Sequence, residues 1–252
     1  MTTLVVFIDF EQKSDSMKRM TISAHQPEYL PYLGFFYKMA KADTFVLADH
    51  LQFTQSSQDF FNRNRIRTSQ GWAWLTIPIL TSGKGYQKIN EIEIDNSILW
   101  GRKHWQLIYF NYKKTPFFDR YSGFFENLYA KKWQKLVDVN EQIIYYLQKE
   151  LGISTALIKS SDYDFKGKKT DLIIELCKKF KADTYLSGMG GKNYMDLELF
   201  KKNNLKYVFS DFKHPAYPQR FKPFLENLSA IDLLFNCGPK SLDIIKSANK
   251  NL

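Results

Sequence analysis

Four short stretches gather the residue types that chemistry uses. His25-Gln26 stands between an apolar run and the prolines Pro27 and Pro31. A histidine in so rigid a turn can act as a general acid or base or donate to a phosphate oxygen, or it can merely fasten the turn through a backbone carbonyl. Asp49 and Gln52 begin a polar loop and can hold a metal, a ribose or nothing. Asn62-Arg63-Asn64-Arg65 packs two fixed positive charges and two amides into four residues. If this stretch is extended, Arg63 and Arg65 share one face, so a single phosphate or carboxylate can meet both guanidinium groups. The run Ser187-Gly188-Met189-Gly190-Gly191-Lys192-Asn193-Tyr194 places three glycines in four positions. There the backbone can approach an anion closely, with Ser187 adding a hydroxyl and Lys192 a charge. The run matches neither the P-loop nor the dinucleotide fingerprint, and a plain turn explains it equally well.

The elements that must position these groups follow a strand-helix grammar. Residues 21–24 read as a strand, 32–41 as a helix with Leu33, Phe36, Tyr37 and Ala40 on one face, and 44–48 as a second strand. Strands are also expected over 72–79 and 89–94, a helix over 100–112, and one or two more helices over 117–151, closed by Gly152. Strands at 156–159, 184–186 and 206–210 then alternate with helices at 170–180 and 194–202, and helices over about 221–235 and 241–248 finish the chain. This is the pattern of an α/β, Rossmann-like three-layer domain with a mostly parallel sheet and a helical insertion at about 98–152. In such sheets ligands bind beyond the carboxyl ends of the strands, where the strand order reverses. That rule selects His25, Asp49 and the Ser187 run without any motif library.

Composition narrows the classes. The 252 residues carry 36 Lys+Arg against 26 Asp+Glu, a formal net charge of +10, with 44% hydrophobic and 25% charged residues. That balance excludes a disordered or fibrous chain. The aromatic share of 16%, interleaved with basic residues, suits stacking on bases or sugars, although a Lys-rich solvated exterior over an aromatic core explains it as well. Two separated cysteines, Cys177 and Cys237, and the short apolar run at residues 4–8 point to a reduced cytoplasmic protein without membrane insertion. His50 and His214 have no partner at metal-ligand spacing, so no metal site is expected, and no nucleophile elbow is present. Residues 1–19 read as an extension ahead of a single domain at 20–252.

The stretch His25-Gln26-Pro27-Glu28-Tyr29-Leu30-Pro31-Tyr32-Leu33-Gly34-Phe35-Phe36 resembles the opening motif of the WbqC-like family. The resemblance continues through Asp49-x-x-Gln52, Asn62-Arg63-Asn64-Arg65-Ile66, Trp74-Leu75-Thr76-Ile77-Pro78, Tyr185-Leu186-Ser187-Gly188 and Leu228-Ser229-x-Ile231-Asp232. It implies a place in bacterial gene clusters for O-antigen, capsule and other cell-surface polysaccharides. The order of strand, proline turn with His25 and helix with Gly34 is also similar to Rossmann-like nucleotidyltransferases that carry a His-x-Gly-His signature. Here Pro31-Tyr32-Leu33-Gly34-Phe35 has no histidine at either end.

Three functions are therefore expected in order. The first is a cytoplasmic transferase acting on a nucleotide-linked amino sugar, adding an acyl or aminoacyl group. His25 and Asp49 would be its catalytic candidates, and Gln26, Tyr29, Gln52, Asn62, Arg63, Asn64, Arg65, Ser187, Gly188, Gly190, Gly191, Lys192 and Tyr194 its substrate-binding residues. The second is ATP-dependent nucleotidyl transfer or ligation, with Asp49 on magnesium. The third is a non-catalytic module that binds nucleic acid such as tRNA, resting on charge and aromatics alone. The residues name no cofactor.

Overall fold

The structure, a computed structural model, describes residues 19–54, 60–193 and 195–249. It opens as strand, helix, strand: β1 (Thr21–His25), α1 (Leu33–Ala40) and β2 (Thr44–Leu47). An antiparallel hairpin follows, β3 (Arg63–Thr68) with β4 (Gly71–Thr76), then a short pair, β5 (Ile79–Leu80) with β6 (Glu93–Ile94). Helices α2 (Trp100–Tyr112), α3 (Phe118–Ala130) and α4 (Leu136–Glu150) lead to β7 (Ala156–Lys159). The chain continues through α5 (Thr170–Lys179), β8 (Thr184–Ser187), α6 (Leu197–Lys202) and β9 (Lys206–Phe209), and ends in α7 (Ala230–Cys237) and α8 (Ser241–Lys246).

Five strands form an all-parallel central sheet in the order β7-β2-β1-β8-β9. Side chains alternate between its faces, as strand geometry requires. Phe45 and Leu47 join the core shared with α1, α4 and α7, whereas Ile22 and Val46 join the core beneath α5 and α6. The result is a Rossmann-like three-layer fold. On the first side, Phe35, Phe36, Phe125 and Phe235 are fully buried, each contributing roughly 2–3 kcal/mol of transfer free energy. Among the described residues no helix is long and apolar enough to cross a membrane.

Several boundaries differ from the sequence reading for local reasons. The expected strand at 72–79 is broken by Pro78 into β4 and β5, because proline cannot donate to a ladder. Of residues 89–94, 89–91 form a turn of 3-10 helix and only Glu93–Ile94 pair as strand. The helix expected from 194 begins at Leu197, where Asp196 caps it by accepting from the Leu199 N–H at 3.0 Å. The helix expected over 221–235 starts only at Ala230. Pro223 in that stretch would clash in a helix interior, and Ser229 caps the shortened helix by accepting from the Ile231 N–H.

The irregular stretch before α7 is fastened by a buried polar network. Asp232 is fully buried and accepts from the Tyr217 hydroxyl and the Gln219 amide, each at 2.9 Å. Gln219 also donates to the Leu225 carbonyl at 2.8 Å. Arg67, 2% exposed, reaches the same stretch by donating to the Pro223 carbonyl at 2.8 Å. Burial pushes the Asp232 carboxyl up to about 6, against the opposing pull of its hydrogen bonds and of Arg67.

An aspartate in the unfolded chain titrates near 3.9. Between about pH 6 and pH 4 the folded protein therefore holds a proton that the unfolded chain lacks, so this group adds stability as pH falls through that window. Asp232→Asn keeps an acceptor for Tyr217 and Gln219 but cannot titrate. Denaturant melts at pH 4 and pH 6 should show this variant losing, relative to the unaltered protein, a pH-dependent gain of about 2 kcal/mol.

Candidate functional site

Hydrogen bonding along the central sheet is uneven, and the unevenness makes the site. β1 pairs with β2 over four residues, as β8 does with β9. Between β1 and β8 only Thr21–Thr184 and Ile22–Tyr185 pair. Past them the buried Ser23 hydroxyl donates to the Leu186 carbonyl at 2.6 Å, so a side chain replaces the ladder. This seam is also where the strand order reverses, since the chain runs from β1 to β2 and β7 on one side and reaches β8 and β9 on the other. A crevice opens beyond it, with His25 ending one wall strand and Ser187 the other.

The loop after His25 is held rigidly from behind. Asn140, fully buried on α4, donates to the Pro27 carbonyl at 3.0 Å and to the Phe61 carbonyl at 2.8 Å. Asn64 donates to the Leu30 carbonyl at 2.7 Å and accepts from the Arg65 N–H at 2.8 Å. These bonds help to hold Leu30 at φ 47°, a left-handed conformation that is costly for a leucine. The Tyr29 N–H donates to the Phe60 carbonyl at 2.9 Å. The proline loop is thereby tied to α4 and to the hairpin approach.

His25 donates its Nδ1 hydrogen to the Gln26 carbonyl at 3.0 Å, which leaves Nε2 with its lone pair. The ring sits edge-on to Phe35 with centroids 5.2 Å apart, and about 24% of its side chain remains accessible. Enclosure in the crevice, reinforced by the charge of Lys38, holds the imidazole down to about 3, so it is neutral at physiological pH. Lys38 is itself buried and donates to the Ala24 carbonyl at 2.9 Å. Burial depresses its ammonium to about 7, with the Glu28 carboxylate pulling the other way. Buried Glu28 lies 3.7 Å from His25 Nδ1.

The opposite rim comes from the hairpin. Arg63 and Arg65 do share one face, and both lie over aromatic rings: Arg63 is 4.8 Å from the Trp74 centroid, and Arg65 is 5.3 Å from Trp72 and 5.6 Å from Trp74. Arg65 Nη2 donates to the Asn227 carbonyl at 3.1 Å, and its buried Nε–H has no acceptor among the described residues. Among the described residues no carboxylate pairs with this guanidinium. Arg65, His25, Gln26, Glu28, Phe60 and Gly190 line one cavity of about 590 Å³.

The sequence candidates thus separate. His25, Gln26, Arg65 and Gly190 converge on the cavity. Ser187 and Gly191 support the β8 turn: Ser187 Oγ donates to the Gly188 carbonyl at 2.9 Å, and the Gly191 N–H does so at 3.1 Å. Asp49 stands at the end of β2, where Ser160 Oγ and the Ser161 N–H each donate to Oδ1 at 2.9 Å and Ser161 Oγ donates to Oδ2 at 2.6 Å. Gln52 bridges to Lys88 through its backbone. Three candidates are engaged within the fold. Tyr29 is fully buried, with its hydroxyl bonded to His104 and Tyr129, so its ring offers no face to a ligand. Asn64 is buried and bonded to backbone, and Asn62 gives its amide to the Ile77 carbonyl at 2.9 Å. Tyr194 and the Lys192 side chain lie outside the described residues. Lys38, Glu28 and Trp74 escaped the sequence reading, although Glu28 sits inside the His25 motif and could have been singled out there.

A model of the WbqC-like protein family matches residues 26–244. The chain is 33% identical over 232 residues to the uncharacterized protein Rv1507c of Mycobacterium tuberculosis, covering 91% of this chain and 98% of that one. No solved structure matches.

Two outcomes test this geometry. A Cβ on Gly191 would collide with Ser187 Oγ and the Tyr207 hydroxyl, while one on Gly188 or Gly190 meets nothing within 4 Å. Gly191→Ala should lose about 1–3 kcal/mol in thermal melts, with Gly188→Ala and Gly190→Ala within about 0.5 kcal/mol of the unaltered protein. The His25 ring resonances should stay flat from pH 5 to 8, and in Lys38→Met they should begin to titrate at higher pH than in the unaltered protein, because a cation is removed.

Proposed function

The chain belongs to the WbqC-like protein family, and on that premise we propose that it is a cytoplasmic transferase acting on a nucleotide-linked amino sugar in cell-surface polysaccharide biosynthesis, with acyl or aminoacyl transfer as its chemistry. One observation carries this reading. A neutral imidazole whose Nε2 keeps its lone pair and a guanidinium with no carboxylate partner among the described residues line the same cavity at the switch point of a parallel sheet. The guanidinium suits a diphosphate, which it can meet through charge-assisted hydrogen bonds. The Arg and Trp side chains of the hairpin suit the base or the sugar, which stack on aromatic faces.

Under this reading the sugar's amino or hydroxyl group lies against His25, whose Nε2 accepts its proton as the bond to the acyl carbon forms; the donor's acyl–sulfur or acyl–oxygen bond then breaks, and the imidazolium returns that proton to the departing thiol or alcohol. A phosphate brought into the crevice offsets the charge of Lys38 and raises the basicity of the imidazole, so ligand binding itself readies the base. Lys38 tunes His25, and Glu28, which lines the same cavity, acts on Lys38. Nucleotidyl transfer, with Asp49 on magnesium, is less favoured because both carboxylate oxygens already accept hydrogen bonds from Ser160 and Ser161.

Calorimetric titration of a uridine or thymidine diphosphate sugar provides the test. Arg65→Ala should weaken binding by roughly ten- to a hundredfold, the worth of a charged hydrogen bond. His25→Ala should bind within about threefold of the unaltered protein but abolish pathway output, as expected for a group used mainly in the transition state. The reading fails if no sugar nucleotide binds, or if His25→Ala leaves output unchanged. Pyrophosphate release from ATP would replace it with nucleotidyl transfer.

A further inference from the structure

A second constellation lies at the ends of β2 and β7, on the α5 side of the sheet. Ser160 Oγ gives its single hydrogen to Asp49 Oδ1 at 2.9 Å. Its contact with His50 Nδ1 must therefore run the other way, with the imidazole donating and the hydroxyl accepting. The relay fixes the tautomer of His50: Nδ1 carries the hydrogen and Nε2 keeps a lone pair. Burial lowers the imidazole's affinity for a proton, with Lys88 acting in the same direction and Asp49 against it, so the ring is neutral at pH 7. Closing the loop after β2 needs only the bonds from Ser161 to Asp49. The link through Ser160 does something more, because it orients a histidine.

His50 lines a cavity of about 150 Å³. Ala48, Leu172, Ile173, Leu176 and Met195 make its apolar wall, Ser160 and Lys169 add polar groups, and His25 and Gln26 line both this cavity and the crevice. A cavity of this size admits a group about as large as benzene. The two cavities thus differ in balance: the crevice carries a guanidinium and a carboxylate, whereas the smaller one has a mainly apolar wall beside the His50 imidazole.

We propose that the smaller cavity is a second ligand site, which binds an alcohol with an apolar body of about six heavy atoms, the body lying between α5 and β1 and the hydroxyl donating to His50 Nε2. The site is independent of what the crevice binds, although His25 and Gln26 line both cavities.

Phenol and toluene, nearly equal in size but differing in the hydroxyl, are the probes, and the histidine resonances of the full chain are the readout. Phenol should saturate with a shift of the His50 Nε2 signal, and toluene should bind about fivefold more weakly, the worth of one hydrogen bond. His50→Phe should bring phenol down to the affinity of toluene. Ile173→Phe, which fills the cavity from its α5 wall, should weaken both probes by tenfold or more. The proposal is overturned if phenol leaves His50 unperturbed, if the two probes bind equally well, or if folded Ile173→Phe keeps its affinity. Should Ile173→Phe fail to fold, the comparison of phenol with toluene on the unaltered protein decides.

Discussion

The candidate site follows from a ladder that stops early. Two strands of a parallel sheet ordinarily pair along their length, because an unpaired backbone group buried away from water is costly. β1 and β8 pair over two residues only, and the Ser23 hydroxyl takes the Leu186 carbonyl that the ladder leaves behind. The sheet can then part at its centre without orphaning a buried acceptor. The gap falls where the strand order reverses, so helices do not cover it and two cavities gather around its edge.

Around that gap, charge is arranged by burial more than by pairing. Lys38 is set on α1 with every neighbouring turn packed against core, and its ammonium reaches a backbone carbonyl where a carboxylate would be expected. Its presence and the enclosure of the crevice keep His25 neutral. On the hairpin, Arg65 rests on tryptophan faces with no acidic partner among the described residues. A guanidinium stacked on aromatic rings is partly desolvated yet still charged, which is the condition under which an incoming anion gains most. Arg65 thus supplies the cavity's positive charge, while Glu28 in the same wall acts on the buried Lys38 behind it.

The sequence told the backbone well and the side chains unevenly. β1, α1, β2, β7 and β9 fall within about a residue or two of where spacing and proline placement put them, because those signals are local. The shared face of Arg63 and Arg65 was legible too, since it needs only an extended backbone. Tyr29 and Asn64 were not. Their burial depends on His104, Tyr129 and the turn at Leu30, partners that sequence spacing does not bring together. Lys38 was hidden for a similar reason: it looks like the solvated face of an amphipathic helix, and only the packing of α1 on both sheet and α8 encloses it. The proline at 223 was a readable sign against the helix expected there, outweighed by an apolar pattern that belongs to α7 alone.

The Ser23–Leu186 bond spans 163 residues of chain. Closing so long a loop comes at a high entropic cost, and contacts of this separation form late in folding. On a ribosome, β1, α1 and β2 emerge early and can pair with each other, yet the seam that opens the crevice waits for β8. For most of its synthesis the nascent chain therefore holds its histidine loop and its basic hairpin without the cleft between them. A stall or truncation before residue 184 leaves a partner-seeking edge on β1, so the seam that frames the crevice in the finished protein is a point of exposure during its birth.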